Sequence, residues 1–264
     1  MRVGVSTACF YPQTLEDILP VLADIGVQAT EIFINTISEL TPQYYEQLGK
    51  TAARLGLDIV SLHPFTSLME GMLLFSVYPR RTKDGLALYR QYFQCAASLG
   101  ARFLTFHGER EMGFGADSPE KWAAKCEVYN QLCELAASYG VTLTQENVAW
   151  CRSGDPEFIR SLSESVPTLR FTLDIKQTRR AQQDWRRFIE IEKDRLANIH
   201  INDFSQTQTC LLPGQGEFDY TAFFEELKKV NYQGDTLIEV YRSDFKTIDE
   251  MRQAVQVLSS FITP

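Results

Sequence analysis

Four polar residues stand at the ends of apolar runs in the second half of the chain: Glu146 in VTLTQENV, Asp174 in LRFTLDIK, His200 in LANIHIND and Glu239 in DTLIEVY. Three carboxylates and one imidazole form a donor set for one divalent cation. The oxygen-rich balance favours Mn²⁺ or Mg²⁺, with Co²⁺ and Zn²⁺ as alternatives. The other two histidines of the chain, His63 in IVSLHP and His107 in FLTFHGE, also close apolar runs. The six cysteines include no CxxC pair, so a thiolate metal site is not indicated and reduced thiols are expected.

These residues need elements to carry them. Strand-like runs cover 2–6, 28–32, 58–63, 102–107, 141–146, 169–174, 196–201 and 235–240, and a helical stretch follows each. The helices are expected at 14–25, 42–55, 81–99, 118–139, from 155, 182–193, 219–230 and 246–261. Thr-Pro, Ser-Pro and Asp-Pro pairs open several of them. Gly26, Gly56, Gly100 and Gly140 stand where left-handed C-caps are wanted. Eight strand–helix pairs of about 33 residues each predict an α/β fold, a single (β/α)8 TIM barrel over residues 1–264. No GxGxxG follows the first strand, which argues against a doubly wound sheet.

Alternation along a strand sharpens the expectation. Val3/Val5, Ile32/Ile34, Val60/Leu62, Leu104/Phe106, Val141/Leu143, Phe171/Leu173, Ile199/Ile201 and Ile238/Val240 share one phase and would face the helices. Ser6, Glu31, His63, His107, Glu146, Asp174, His200 and Glu239 share the other. They would form an inward ring at the C-terminal mouth, where barrels of this kind keep their active sites. Ser6 and Glu31 receive no role.

Lys and Arg number 26 against 34 Asp and Glu, a formal charge of −8. This balance lowers the expectation of a nucleic-acid partner. The arginine pairs at 80–81, 179–180 and 186–187 read as solvated charges flanking helices. No apolar run reaches the length of a membrane span, and the start lacks a signal-peptide core, so a cytoplasmic protein is expected. Residues 64–80 and 108–118 look like loops that cover the mouth, with Phe65, Trp150 and Tyr241 placed to wall a pocket. The apolar 68–78 stretch is alternatively the contact of a homo-oligomer.

The ordered set Glu146, Asp174, His200 and Glu239, with the segment LPGQGEFDYTAFFEELKKVNYQGDTLIEVY, resembles the xylose isomerase-like TIM barrels (the sugar phosphate isomerase/epimerase superfamily). Within it the likeness is to ketose 3-epimerases. The resemblance implies one divalent metal on those four residues and a small carbohydrate substrate. It implies that Glu146 and Glu239 exchange a proton at the carbon beside a carbonyl, through a cis-enediolate, in epimerisation or aldose–ketose isomerisation. His63 and His107 then orient substrate hydroxyls, with Trp150 and Lys176 as further substrate contacts. An inosose-type dehydratase or a sugar-binding barrel without turnover are the alternatives. The family's D-x-x-H is here Asp174-Ile-Lys-Gln, and Gln206 stands where an arginine is often found. A trinuclear zinc nuclease is therefore disfavoured. Lys176 or Arg152 is expected to replace the lost substrate donor.

Overall fold

In the computed structural model of the chain, which describes residues 1–110 and 118–262, eight parallel strands close into a barrel in sequence order. They are β1 (Val3–Ser6), β2 (Ala29–Phe33), β3 (Asp58–His63), β4 (Phe103–Phe106), β5 (Thr142–Glu146), β6 (Arg170–Asp174), β7 (Leu196–Ile201) and β8 (Thr236–Ile238). The surrounding helices are α1 (Leu15–Ile25), α2 (Pro42–Arg54), α3 (Glu70–Leu74), α4 (Pro79–Leu99), α5 (Pro119–Ser138), α6 (Pro156–Ser165), α7 (Ile175–Arg180), α8 (Trp185–Glu192), α9 (Tyr220–Lys229) and α10 (Ile248–Ile262). The expected (β/α)8 barrel is observed. Gly26, Gly56, Gly100 and Gly140 all take positive φ after a helix, as the C-cap reading requires.

Two short helices were not anticipated. α3 lies inside the 64–80 loop, and α7 starts directly at the end of β6. Each is too short to show helical periodicity in sequence. The expectation for 108–118 falls largely on residues 111–117, which lie outside the described residues.

The phase reading holds at the mouth and fails at one point below it. Val5, Ile32, Leu62, Leu104, Leu143, Phe171, Ile199 and Ile238 join the main core against the helices, as expected. Val60 does not. It clusters with Ala29 and Leu237, with Phe103 packed on them. The cause is a register shift between β2 and β3: Thr30 faces Ile59 but Glu31 faces Ser61, so Val60 is an extra residue. Such a bulge resets the alternation, and Ser61 and His63 both turn to the barrel axis. A second shift occurs between β6 and β7, where Ala197 is the extra residue.

The barrel interior is more polar than the usual layers of branched apolar side chains. Ser61, Thr105, Thr144, Thr172 and Asn198 are fully buried. They bond to one another or to Glu31: Thr172 Oγ1 donates to Thr144 Oγ1 at 2.8 Å, and Asn198 Nδ2 to Ser61 Oγ at 3.3 Å. At the opposite end, Asp235 accepts from Arg2 at 2.9 and 2.7 Å and from Arg102 at 2.7 Å, joining β8 to the starts of β1 and β4. These charge pairs hold Asp235 below the usual carboxylate pKa although burial opposes ionisation.

Glu192, at the end of α8, is 1% exposed, and neither carboxylate oxygen has a hydrogen-bond partner among the described residues. Burial pushes its pKa well above the usual range, with Arg195 opposing. A carboxyl raised in the folded state contributes its full stability below the unfolded pKa, near 4.3, and loses it as pH rises through the raised value. Glu192→Gln is therefore expected to gain stability relative to the wild type as pH rises above about 5. Parallel Tm–pH curves for the two proteins would contradict this.

Candidate metal centre

The four carboxylate and histidine residues from the last four strands do converge. One atom from each of Glu146, Asp174, His200 and Glu239 lies within 4.8 Å of the others. Local structure fixes every one of them. Glu239 follows β8 and continues its ladder, its N–H donating to Ile201 O at 3.0 Å. Asp174 caps α7: its Oδ1 accepts from Gln177 N at 2.9 Å, which leaves Oδ2 facing the centre. Asn147 clasps the same backbone, accepting from Asp174 N at 2.6 Å and donating to Asp174 O at 3.0 Å.

His200 is oriented from below by Glu31. Its Nε2 lies 3.1 Å from Glu31 Oε2, so that nitrogen carries the proton and Nδ1 faces the centre, 3.2 Å from Glu239 Oε2. Glu31 is itself fixed by Ser6 at 3.1 Å, Ser61 at 2.7 Å and Thr105 at 3.0 Å. Glu31 and Ser6 thus acquire the role that sequence reading withheld. The signal was present: small hydroxyl residues at 6, 61 and 105 share the inward phase.

The electrostatics suit a cation. Among the described residues, His200 Nδ1 and Asp174 Oδ2 are buried without a partner in hydrogen-bond geometry, as is Glu146 Oε2 on the side of His63 and His107. Burial drives Asp174 well above its usual pKa. Lys176 opposes the shift, and repulsion from Glu146 and Glu239 adds to it. Burial likewise disfavours the imidazolium of His200, but Glu31, Glu239 and Glu146 outweigh it and hold the ring well above its usual range. Three carboxylates around one point thus draw in positive charge, and a divalent ion held among them would answer that demand.

His63 and His107 meet the centre from β3 and β4. Their Nε2 atoms are 2.9 Å apart, and they lie 3.7 and 3.0 Å from Glu146 Oε2, respectively. These three residues form a second convergent group around Glu146. Phe33 stacks on His63 at 4.8 Å, and Trp150 meets His107 edge-on at 5.5 Å. Beneath them, buried Glu70 of α3 accepts from the backbone N–H groups of His107 at 2.9 Å and Gly108 at 2.7 Å, and from the hydroxyl of Tyr89. The 64–80 loop is thereby pinned to the end of β4. No periodic signal could have found Glu70, because it lies inside a loop.

Lys176 is buried and reaches the centre. Its Nζ is 3.0 Å from Glu239 Oε2 and 3.4 Å from Asp174 Oδ2. Burial opposes its charge, but those two carboxylates hold the ammonium protonated. Gln177 accepts from Ala149 N at 3.2 Å. Arg152 stacks over Phe158 at 5.0 Å and lies 3.8 Å from Glu109. Phe65 packs on Tyr92 at 6.3 Å, whereas Tyr241 lies 5.2 Å from Lys176.

The P-G-x-G-x-x-D stretch has a structural task. Asp203, just past β7, accepts from Gly214 N at 3.0 Å, Gly216 N at 2.9 Å and Phe218 N at 2.9 Å. A Cβ on Gly216 would overlap Phe204 O and the Asp203 carboxylate, so only glycine closes this clasp. Asp219 then caps α9 through Ala222 N at 2.9 Å.

A closed parallel barrel with carboxylate and imidazole donors converging at its C-terminal mouth defines a class of TIM-barrel proteins with a polar, cation-ready centre. The xylose isomerase-like TIM barrel family model matches residues 19–261, and the chain belongs to that family. An uncharacterized protein of Methanocaldococcus jannaschii is 22% identical over 255 residues, covering 90% of this chain and 83% of that one. Among solved structures, a 3-keto-D-glucoside 4-epimerase from E. coli superposes with a TM-score of 0.80 at 17% identity, covering 98% of this chain and 99% of that one. A D-psicose 3-epimerase from Clostridium cellulolyticum gives 0.81 at 15%, covering 99% and 98%. A probable 3-DHS dehydratase from Bacillus anthracis gives 0.78 at 13%, covering 98% and 99%.

The Glu31–His200 contact makes a measurable claim. Partners that orient a metal-binding histidine usually contribute about 10–100-fold in affinity. Glu31→Gln is expected to weaken divalent-ion binding by that order, read by competition with a chromogenic chelator. Unchanged affinity would remove Glu31 from the centre.

Proposed function

We propose that this barrel is a divalent-metal-dependent epimerase or aldose–ketose isomerase acting on a small polyhydroxy carbonyl compound. The observation that carries the reading is the convergence of donor atoms from four consecutive strands, with His200 Nδ1 and Asp174 Oδ2 buried and outside hydrogen-bond geometry among the described residues. Glu146, Asp174, His200 and Glu239 would hold one ion, with Mn²⁺ or Mg²⁺ favoured by the oxygen-rich set and Co²⁺ or Zn²⁺ as alternatives. When bound, the ion supplies Lewis acidity to the substrate carbonyl.

The protein's own groups divide the proton work. Glu146 sits deepest, beside His63, His107 and His200, and burial is outweighed by these rings so that its carboxylate stays ionised. Glu239 is also held ionised against burial, by Lys176 and His200, and its side chain is more open to the mouth, at 13% against 2%. Two carboxylates in different surroundings suit one to take the α-carbon proton and the other to return one. His63, His107, Trp150 and Lys176 line the approach and would orient substrate oxygens. Return of the proton to the same carbon gives an epimer; return to its neighbour gives an isomer.

Six free, buried cysteines support a cytoplasmic setting. No helix among the described residues is long and apolar enough to cross a membrane. A single barrel domain spanning 1–264 completes the reading.

Two measurements test it. Metal analysis after reconstitution should give about one divalent ion per chain at the main site; none would sink the centre. A panel of ketoses, aldoses and inososes in D₂O, read by NMR, should reveal solvent deuterium at a substrate α-carbon. Glu239→Gln should lower that exchange at least about 100-fold while the circular dichroism spectrum is kept. An unsaturated product would identify the dehydratase instead, and binding without any exchange the barrel without turnover.

A further inference from the structure

Positive charge continues outward from the centre on the β6 side. Lys176 Nζ and the Arg180 guanidinium each lie 5.2 Å from the centroid of the Tyr241 ring. Arg180 Nη1 donates to Tyr241 Oη at 2.6 Å and its Nε to Thr209 Oγ1 at 3.4 Å. Arg179 lies 4.9 Å over Phe204 and donates from Nη2 to Ser205 O at 3.3 Å. Among the described residues these contacts leave Arg180 Nη2 and Arg179 Nε and Nη1 without a hydrogen-bond partner. Neither guanidinium pairs with a carboxylate there.

Both arginines line a polar cavity of about 730 Å³ between the end of α7 and the turn after β7, together with Ser205, Gln206, Thr207 and Thr209. Asp184 also lines it, and its Oδ1 accepts from the backbone N–H of Arg186 at 3.0 Å and lies 3.6 Å from that residue's guanidinium. The two arginines are therefore set in place by aromatic rings, two hydroxyls and a backbone carbonyl, with donors left over. That arrangement costs little side-chain entropy when an oxyanion arrives, because each planar fork is already oriented.

We propose that Arg179 and Arg180 form an oxyanion subsite for the far end of the substrate. The substrate is then an acidic hydroxy-carbonyl compound with a terminal phosphate or carboxylate. The inference rests on the metal-centre reading for the reacting end of the molecule. One aromatic ring, Tyr241, separates the subsite charge from Lys176, so a sugar chain can place its carbonyl at the centre and its anionic group on the arginines. In a chain of net charge −8, with three carboxylates at the mouth, a local cationic cavity is what admits such a molecule. The 179–180 pair then has a task beyond flanking α7.

The test uses the metal-loaded, full-length protein. Matched sets of a neutral ketose, its terminal phosphate ester and the corresponding terminal acid are compared by solvent-deuterium exchange. One charged member should exceed the neutral one at least about tenfold in kcat/KM, and which one it is separates phosphate from carboxylate. In the Arg179→Gln/Arg180→Gln variant that ratio should fall towards one, mainly through KM, and Arg180→Lys should keep part of it. Equal kcat/KM for charged and neutral members, or a ratio unchanged in the double variant, overturns the subsite. In parallel, inorganic phosphate is titrated into the metal-free protein while arginine Nε–H resonances are followed. A shift lost in the double variant supports the site even if no compound exchanges, in which case the isomerase reading fails and the anion site stands. Phosphate binding with no preference among substrates marks an independent anion site and overturns its role in substrate binding.

Discussion

Everything at the mouth depends on one buried carboxylate that lies beneath the donor set. Glu31 is fully inaccessible, and its two oxygens receive Ser6, Ser61, Thr105 and His200. A carboxylate at the axis of a barrel is tolerable only when such donors surround it. Burial argues against ionisation there, but His200, then His63, outweigh it and keep Glu31 below the usual carboxylate pKa. The anion fixes the tautomer of His200 and so decides which ring nitrogen faces the other three donors. Replacing this polar floor with branched apolar side chains would pack the barrel as well, but would leave the imidazole free to turn.

Above that floor a bound divalent ion would balance the charges. Glu146, Asp174 and Glu239 contribute three negative charges, and Lys176 returns one. A divalent ion would bring the group to neutrality, which is a cheaper state to bury than any with an unpaired carboxylate. Lys176 therefore has two partners of different kinds: the donor set itself, and the aromatic and guanidinium neighbours that lead outward.

The barrel and its donor set were legible because they are periodic or local. Alternation put Glu146, Asp174, His200 and Glu239 in one phase, and proline–acid pairs and glycines marked helix ends. What escaped was of two sorts. Val60 defeated the alternation because a bulge adds a residue that no composition signal announces. Glu70, Asn147 and Phe33 escaped because their roles depend on side chains meeting across loops or neighbouring strands. Glu31 lay between these cases: its position was read, but its purpose needed the hydroxyls around it.

The two register shifts fall on β3 and β7, the strands that deliver His63 and His200, whose rings face each other at 6.5 Å. Each extra residue works like a change of reading frame within a strand. Below it the side chains keep one alternation and serve the closed end of the barrel; above it a new alternation begins and serves the mouth. The two ends are thus partly uncoupled in sequence. Substitutions can drift in the lower frame without re-aiming either histidine, while the gain or loss of a single residue in β3 or β7 would turn an entire upper strand away from the axis at once.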